Sequence, residues 1–123
     1  MSVRREVETM LRADWATDPV LKKFRVMATE AALEQVIEPT ALIRTKSVQR
    51  DPSAPMSSRK FGFLLTLISP LNDLDLAGDD LEDQTDAAIN YLGSRFTLDT
   101  ATYVGYDGYL AVDIPFFVTA KNA

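Results

Sequence analysis

Apolar residues alternate with polar ones along some stretches of this chain and recur every three or four positions along others. The two periods divide it into strands and helices. The alternation is cleanest near the C-terminus. There Leu110, Val112, Ile114, Phe116 and Val118 fall on one face, and Ala111, Asp113, Pro115 and Phe117 on the other. Before it stands Tyr106-Asp107-Gly108-Tyr109, a two-residue turn signal, because a type I′ turn needs positive φ at both central positions. The C-terminal third therefore reads as a hairpin, with Tyr103 opposite Val112 and Ala101 opposite Ile114. Pro115 has no N–H for a ladder, which predicts that its strand is at an edge or bulged there.

Arg59 to Ser69 is the strongest strand. Phe63, Leu65 and Leu67 point one way, and Leu64 and Ile68 the other, flanking Thr66. Apolar residues on both faces imply an interior strand, or one covered by another subunit. Thr40 to Arg50, β-branched at Thr40, Ile43, Thr45 and Val48, reads as a further strand. Phe24 to Ala28 reads as a weaker one. The Pro/Ser run Asp51 to Ser58 between two strands reads as a mobile loop.

Helical spacing marks three segments. Ser2 to Asp14 has Ser2 as N-cap and Val3, Val7, Met10 and Leu11 on one face. Glu30 to Ile37, capped by Thr29, ends at Glu38-Pro39, since the residue before proline avoids the α region. Asp79 to Leu92 has Asp79 as N-cap, Glu82 in the capping-box position and Gly93 as its stop. Together these elements predict one α+β domain over residues 1–123. Its expected form is a single, mostly antiparallel sheet of about four strands, with two or three helices packed on one face.

Composition then limits the chemistry. The chain has no Cys and no His. Thiolate nucleophiles, Cys-ligated metals and the usual neutral-pH acid–base group are therefore absent. The expectation is a protein that is not an enzyme and carries no cofactor. No apolar run approaches the ~20 residues of a membrane helix, and the basic N-terminal residues have no apolar segment behind them. The chain thus reads as a soluble protein folded in a cytoplasm. A net charge of -5 also argues against nucleic-acid binding through a global positive field.

Two charged features remain. Asp73, Asp75 and Gly78 resemble positions 1, 3 and 6 of a calcium loop. Positions 5, 9 and 12 would then be Ala77, Leu81 and Gln84, which cannot supply the ligands such a loop needs. The run reads instead as a dipole-matched helix start, with no metal. The second feature is charge segregation. From Asp73 to Asp86 there are seven acids and no Lys or Arg, and from Arg44 to Lys60 five basic residues against one acid. These are either two solvated faces or the complementary surfaces of a head-to-tail ring. In the ring, Arg44, Lys46, Arg50, Arg59 and Lys60 of one copy would meet Asp79, Asp80 and Asp83 of the next.

A family resemblance spans roughly Phe24 to Thr119. Pro39-Thr40-Ala41-Leu42-Ile43-Arg44 leads into the Pro/Ser loop. Then follow Phe63-Leu64-Leu65-Thr66-Leu67-Ile68-Ser69-Pro70, Asp79-Asp80-Leu81-Glu82, a helix ending Ile89-Asn90-Tyr91-Leu92, and the closing hairpin. In this order the chain resembles the tail terminator proteins of long, non-contractile-tailed bacteriophages, the lambda U-like minor tail proteins. The resemblance implies a structural virion protein that forms a homohexameric ring at the head-proximal end of the tail. It would stop growth of the tail tube protein and offer a surface to head–tail connector proteins, while genome DNA passes through without specific binding. Two alternatives stand beside it: a neck or head-completion connector, and a small acidic ligand- or metal-binding module using Asp73, Asp75 and Asp79.

Overall fold

Ser2 closes the first helix as its spacing predicts: the Oγ accepts the Arg5 N–H at 3.2 Å, and α1 runs Val3–Trp15. The computed structural model describes residues 2–31, 33, 35–50 and 58–121. Val7, Leu11 and Trp15, one turn apart along α1, are buried against the sheet. A single 3-10 turn, Leu21–Lys23, leads to β1 (Arg25–Ala28), followed by β2 (Thr40–Arg50) and β3 (Ser58–Ile68). Helix α2 (Leu74–Gly93) precedes β4 (Thr97–Leu98), β5 (Thr102–Tyr106) and β6 (Tyr109–Lys121). The Pro/Ser segment expected to be a mobile loop lies, at residues 51–57, outside the described residues.

The α+β class holds, but the sheet is mixed and has six strands, in the order β1-β2-β3-β6-β4 with β5 also on β6. β1 lies parallel to β2, with Arg25 opposite Thr40. A parallel neighbour needs a crossover, and residues 29–39 supply it. Among its described residues, none is helical, which corrects the helix expected over Glu30 to Ile37. Tertiary partners hold its backbone and side chains instead. Glu30 Oε1 accepts the Thr45 N–H at 2.8 Å and Arg4 Nη1 at 2.6 Å. The Leu33 N–H donates to the Tyr106 hydroxyl at 2.9 Å. A helix of two turns has too little cooperativity to compete with these.

α2 also differs from expectation, starting at Leu74 instead of after Asp79. Asp73 is its N-cap, with Oδ1 accepting the Asp75 and Leu76 N–H groups at 3.0 and 3.2 Å. Asp79 and Glu82 are therefore mid-helix residues, with no capping box. Interior Gly78 costs about 1 kcal/mol of helix propensity, which burial of Ala77 and Leu81 on either side offsets.

Both helices pack on one face of the sheet. The main core unites Leu11, Trp15, Ile43, Phe63, Leu65, Leu67, Leu81, Leu92, Val112, Ile114 and Phe116. On the other face a smaller cluster, Val36, Ile68 and Ala111, sits beneath the crossover. β3 is therefore interior, as its two apolar faces predict.

Pro115 does not put β6 at an edge. β6 pairs with β3 along one side and with β5 and then β4 along the other. Asp99 N–H donates to Pro115 O at 3.0 Å, so the carbonyl faces the seam between β5 and β4. A residue's N–H and C=O share one side of a strand. The proline's missing donor thus falls at that seam and costs no ladder bond.

Candidate assembly surfaces

The alternation of carbonyls along β6 sets which backbone groups of the sheet remain open. Pro115 and the other odd residues of β6 face β4 and β5, so its even residues face β3. Passed across the register, this parity turns Gly62 and Lys60 toward Ser47 and Gln49, and turns the backbone of Val48 and Arg50 outward. On the opposite side, Tyr106 and Tyr109 flank the turn and share its hydrogen bonds, so the backbone of Tyr103 and Gly105 faces outward.

The third edge, β1, is closed. Arg12 Nε and Nη2 donate to Val26 O at 3.0 and 2.8 Å, and Glu8 Oε2 accepts the Ala28 N–H at 2.6 Å. Exposed strand edges pair with other chains unless something covers them. Here α1 covers the β1 edge, while β2 beyond Thr45 and β5 stay open.

The five basic residues divide between two places. Arg44 belongs to the subunit itself, on the face away from the helices. Its Nη2 donates to Thr66 Oγ1 at 2.9 Å, Thr66 donates to Asp113 Oδ1 at 2.6 Å, and Arg44 and Asp113 stand 3.9 Å apart. This removes Arg44 from the arm with which its spacing groups it. Lys46 occupies an irregularity between Thr45 and Ser47; it and Arg50 are exposed. Arg59 and Lys60 are half-buried on β3, with Lys60 Nζ 4.6 Å from the Phe117 ring centroid. The distal halves of β2, β3 and β6 thus form a basic arm, with Val48 54% exposed on it.

Asp79, Asp80 and Asp83 are all exposed on α2. The start of the helix lies near Leu110, whose Cδ2 is 3.8 Å from where a Cβ at Gly78 would sit. β6 begins at that acidic end and finishes in the basic arm, where Thr119 pairs with Lys60. From Leu110 to Thr119 the strand spans about 30 Å. Among the described residues no ion pair joins Lys46, Arg50 or Lys60 to the helix.

A groove of about 380 Å³ runs between α2 and β5, lined by Glu82, Asp83, Thr85, Asp86, Ile89 and Tyr103. Thr85 is 8% exposed and its Oγ1 has no hydrogen-bond partner among the described residues, while Tyr103 is 50% exposed. Of these residues the sequence reading singled out only Asp83 as an assembly residue. Glu82, Asp83 and Asp86 share a helix side by their spacing; only the seating of α2 beside β5 sets what that side faces. Asp73, Asp75 and Asp79 do not converge on a common point: Asp73 is spent on the helix cap. Among the described residues no group of His, Cys, Asp or Glu could hold a metal ion, and no helix is long and apolar enough to cross a membrane. No protein-family model matches the chain, and no curated protein is similar to it in sequence.

Proposed function

We propose that this chain is a structural ring subunit of the phage tail-terminator kind. Copies join head to tail, cap the head-proximal end of a tail tube, stop its polymerisation and present a fresh surface to the head connector. One observation carries the ring: the basic arm and the acidic helix sit at opposite ends of β6, about 30 Å apart. Two surfaces so placed cannot neutralise each other within a subunit. They can do so between subunits related by rotation, which is a heterologous contact that closes into a ring or runs on as a filament. A two-fold dimer would have to carry both surfaces in one interface, since each contact occurs twice in it. The tail assignment itself rests on the sequence resemblance, from Pro39-Thr40 through the closing hairpin.

The net charge of -5 suits a lumen that DNA must cross, because a basic wall would hold the phosphates. A neck or head-completion ring would use the same contacts and differ only in what it caps. Images of assembled tails carrying a labelled copy of this chain test the proposal. Density with six-fold symmetry at the head-proximal end is expected, together with overlong tails when the gene is silenced. Label elsewhere in the particle, or tails of normal length without the protein, would overturn it.

A further inference from the structure

The groove between α2 and β5 has the make-up of a strand-docking site. The structure assigns it an occupant: the outer edge of β2 from a second copy, added to β5 as a further strand. This inference rests on the ring reading and names the contact that would build it. Observations on both edges lead to it.

On the receiving side, the backbone of Tyr103 and Gly105 faces outward, with no strand beyond it. Beside that edge stand the carboxylates of Glu82, Asp83 and Asp86. The same groove holds Thr85, more than nine-tenths buried, whose Oγ1 finds no partner among the described residues. A buried hydroxyl without a partner is uncommon in native proteins and marks a place where a donor or acceptor is due. Tyr103, half exposed beside Ile89, adds apolar surface of the kind that strand addition covers.

On the donating side, the backbone of Val48 and Arg50 also faces outward, past the point where β1 ends. This edge carries Lys46 and Arg50 as its charges and Val48 as its exposed apolar residue. Main-chain hydrogen bonds supply affinity in strand addition, and side chains set which strand is accepted. An open edge with two cations and one apolar residue meets an open edge with three carboxylates and an exposed Tyr. The edges lie on opposite sides of one sheet, with β3 and β6 between them, so each copy can give and receive at once. By contrast α1 blocks β1 through Glu8 and Arg12.

The chain has no Cys, so introduced pairs report the contact directly. Neighbouring strands bring facing Cα atoms to about 4.5–5.5 Å, within disulfide reach. Full-length chain carrying Val48→Cys together with Tyr103→Cys, or with Gly105→Cys, is oxidised under conditions where the wild type associates, as followed by sedimentation. A ladder of disulfide-linked oligomers from at least one pair is the expected result. Gly105→Pro is the second variant. A Cβ there meets nothing within 4 Å, and proline removes an N–H that no strand of the subunit uses. It should weaken association about ten-fold or more, with the melt of the dilute monomer unchanged. Association without a disulfide in either pair, or unaffected by Gly105→Pro, would overturn strand docking and leave the ring standing on another contact. A wild type that stays monomeric at every concentration and on tails would overturn the ring reading and this contact together.

Discussion

Across the outer edge of β1, the carboxylate of Glu8 accepts the backbone N–H of Ala28 at 2.6 Å. Arg12, one helical turn further along α1, stands 3.4 Å from the same carboxylate and donates to Val26 O. An i,i+4 pair that in sequence looks like a surface ion pair is therefore a cover for a strand edge. Glu8 is itself buried, and its burial is tolerable because both its oxygens have partners.

Glu8→Ala is expected to destabilise the domain by about 1–3 kcal/mol, the usual cost of leaving a buried N–H without a partner. It also uncovers the β1 edge, so the heated variant should aggregate more readily than wild type. Urea unfolding gives the first quantity and light scattering during a melt the second. A midpoint equal to that of wild type would show that water replaces the carboxylate freely.

Leu67→Ala should cost ~2–5 kcal/mol. Leu67 is fully buried in the central strand, with Ala41 and Val112 as its cross-strand partners, so little can close in on the cavity. A melting temperature within a degree or two of wild type would contradict this packing.

Charge reversal should separate the arm from Arg44. Lys46→Glu with Arg50→Glu removes exposed cations, each worth only ~0.2–1 kcal/mol in a surface pair, and should leave the monomer melt unchanged. In a ring the loss recurs at every contact, and repulsion from Asp83 and Asp86 adds to it. Tail length and head joining should fail at low salt and recover as salt rises, since the Debye length falls from ~10 Å at 0.1 M to ~3 Å at 1 M. Arg44→Glu should instead lower monomer stability. It sets a carboxylate beside Asp113 and takes a donor from Thr66. Equal melts for the two variants would place Arg44 back among the surface cations.

Stability should fall in acid partly through Glu30. Its carboxyl is held below the ordinary value of 4.5, first by the hydrogen bond from the Thr45 N–H and then by Arg4, against some desolvation. A carboxyl whose folded pKa is depressed stabilises the fold fully above its unfolded value, and that contribution is lost as pH falls through the folded value. Melts between about pH 3 and 6 should therefore drop below roughly 4.5 in wild type and drop less in Glu30→Gln. The side chain is half exposed, so the difference is small. Parallel curves for the two proteins would show that Glu30 does not tie the crossover down.

Local rules made much of this fold legible from sequence. Ser2 announces α1 because a serine oxygen can take a free helix N–H. Asp107-Gly108 announces the hairpin because only such residues accept positive φ cheaply, and their φ values are 47° and 87°. The facing of β3 and β6 follows from strict alternation, and the pairing of Tyr103 with Val112 follows from a two-residue turn. The segregated charges, and the absence of Cys and His, are likewise plain in the residues.

Tertiary structure decided the rest, because each remaining point depends on partners remote in the chain. The crossover over residues 29–39 has helical spacing but gives its backbone to Tyr106 and its carboxylate to Arg4 and Thr45. β1 and β2 turn out parallel because that crossover returns the chain to the end where it began. Asp73 caps α2 in place of Asp79, since the earlier cap adds a turn that buries Ala77 against the sheet. Arg44 leaves the basic arm because the register of β2, β3 and β6 puts Thr66 and Asp113 beside it. Which edges stay open, and which acids stand next to them, is a property of the assembled sheet. Hydrophobic period tells each residue which face to take; only the folded chain settles what stands across from it.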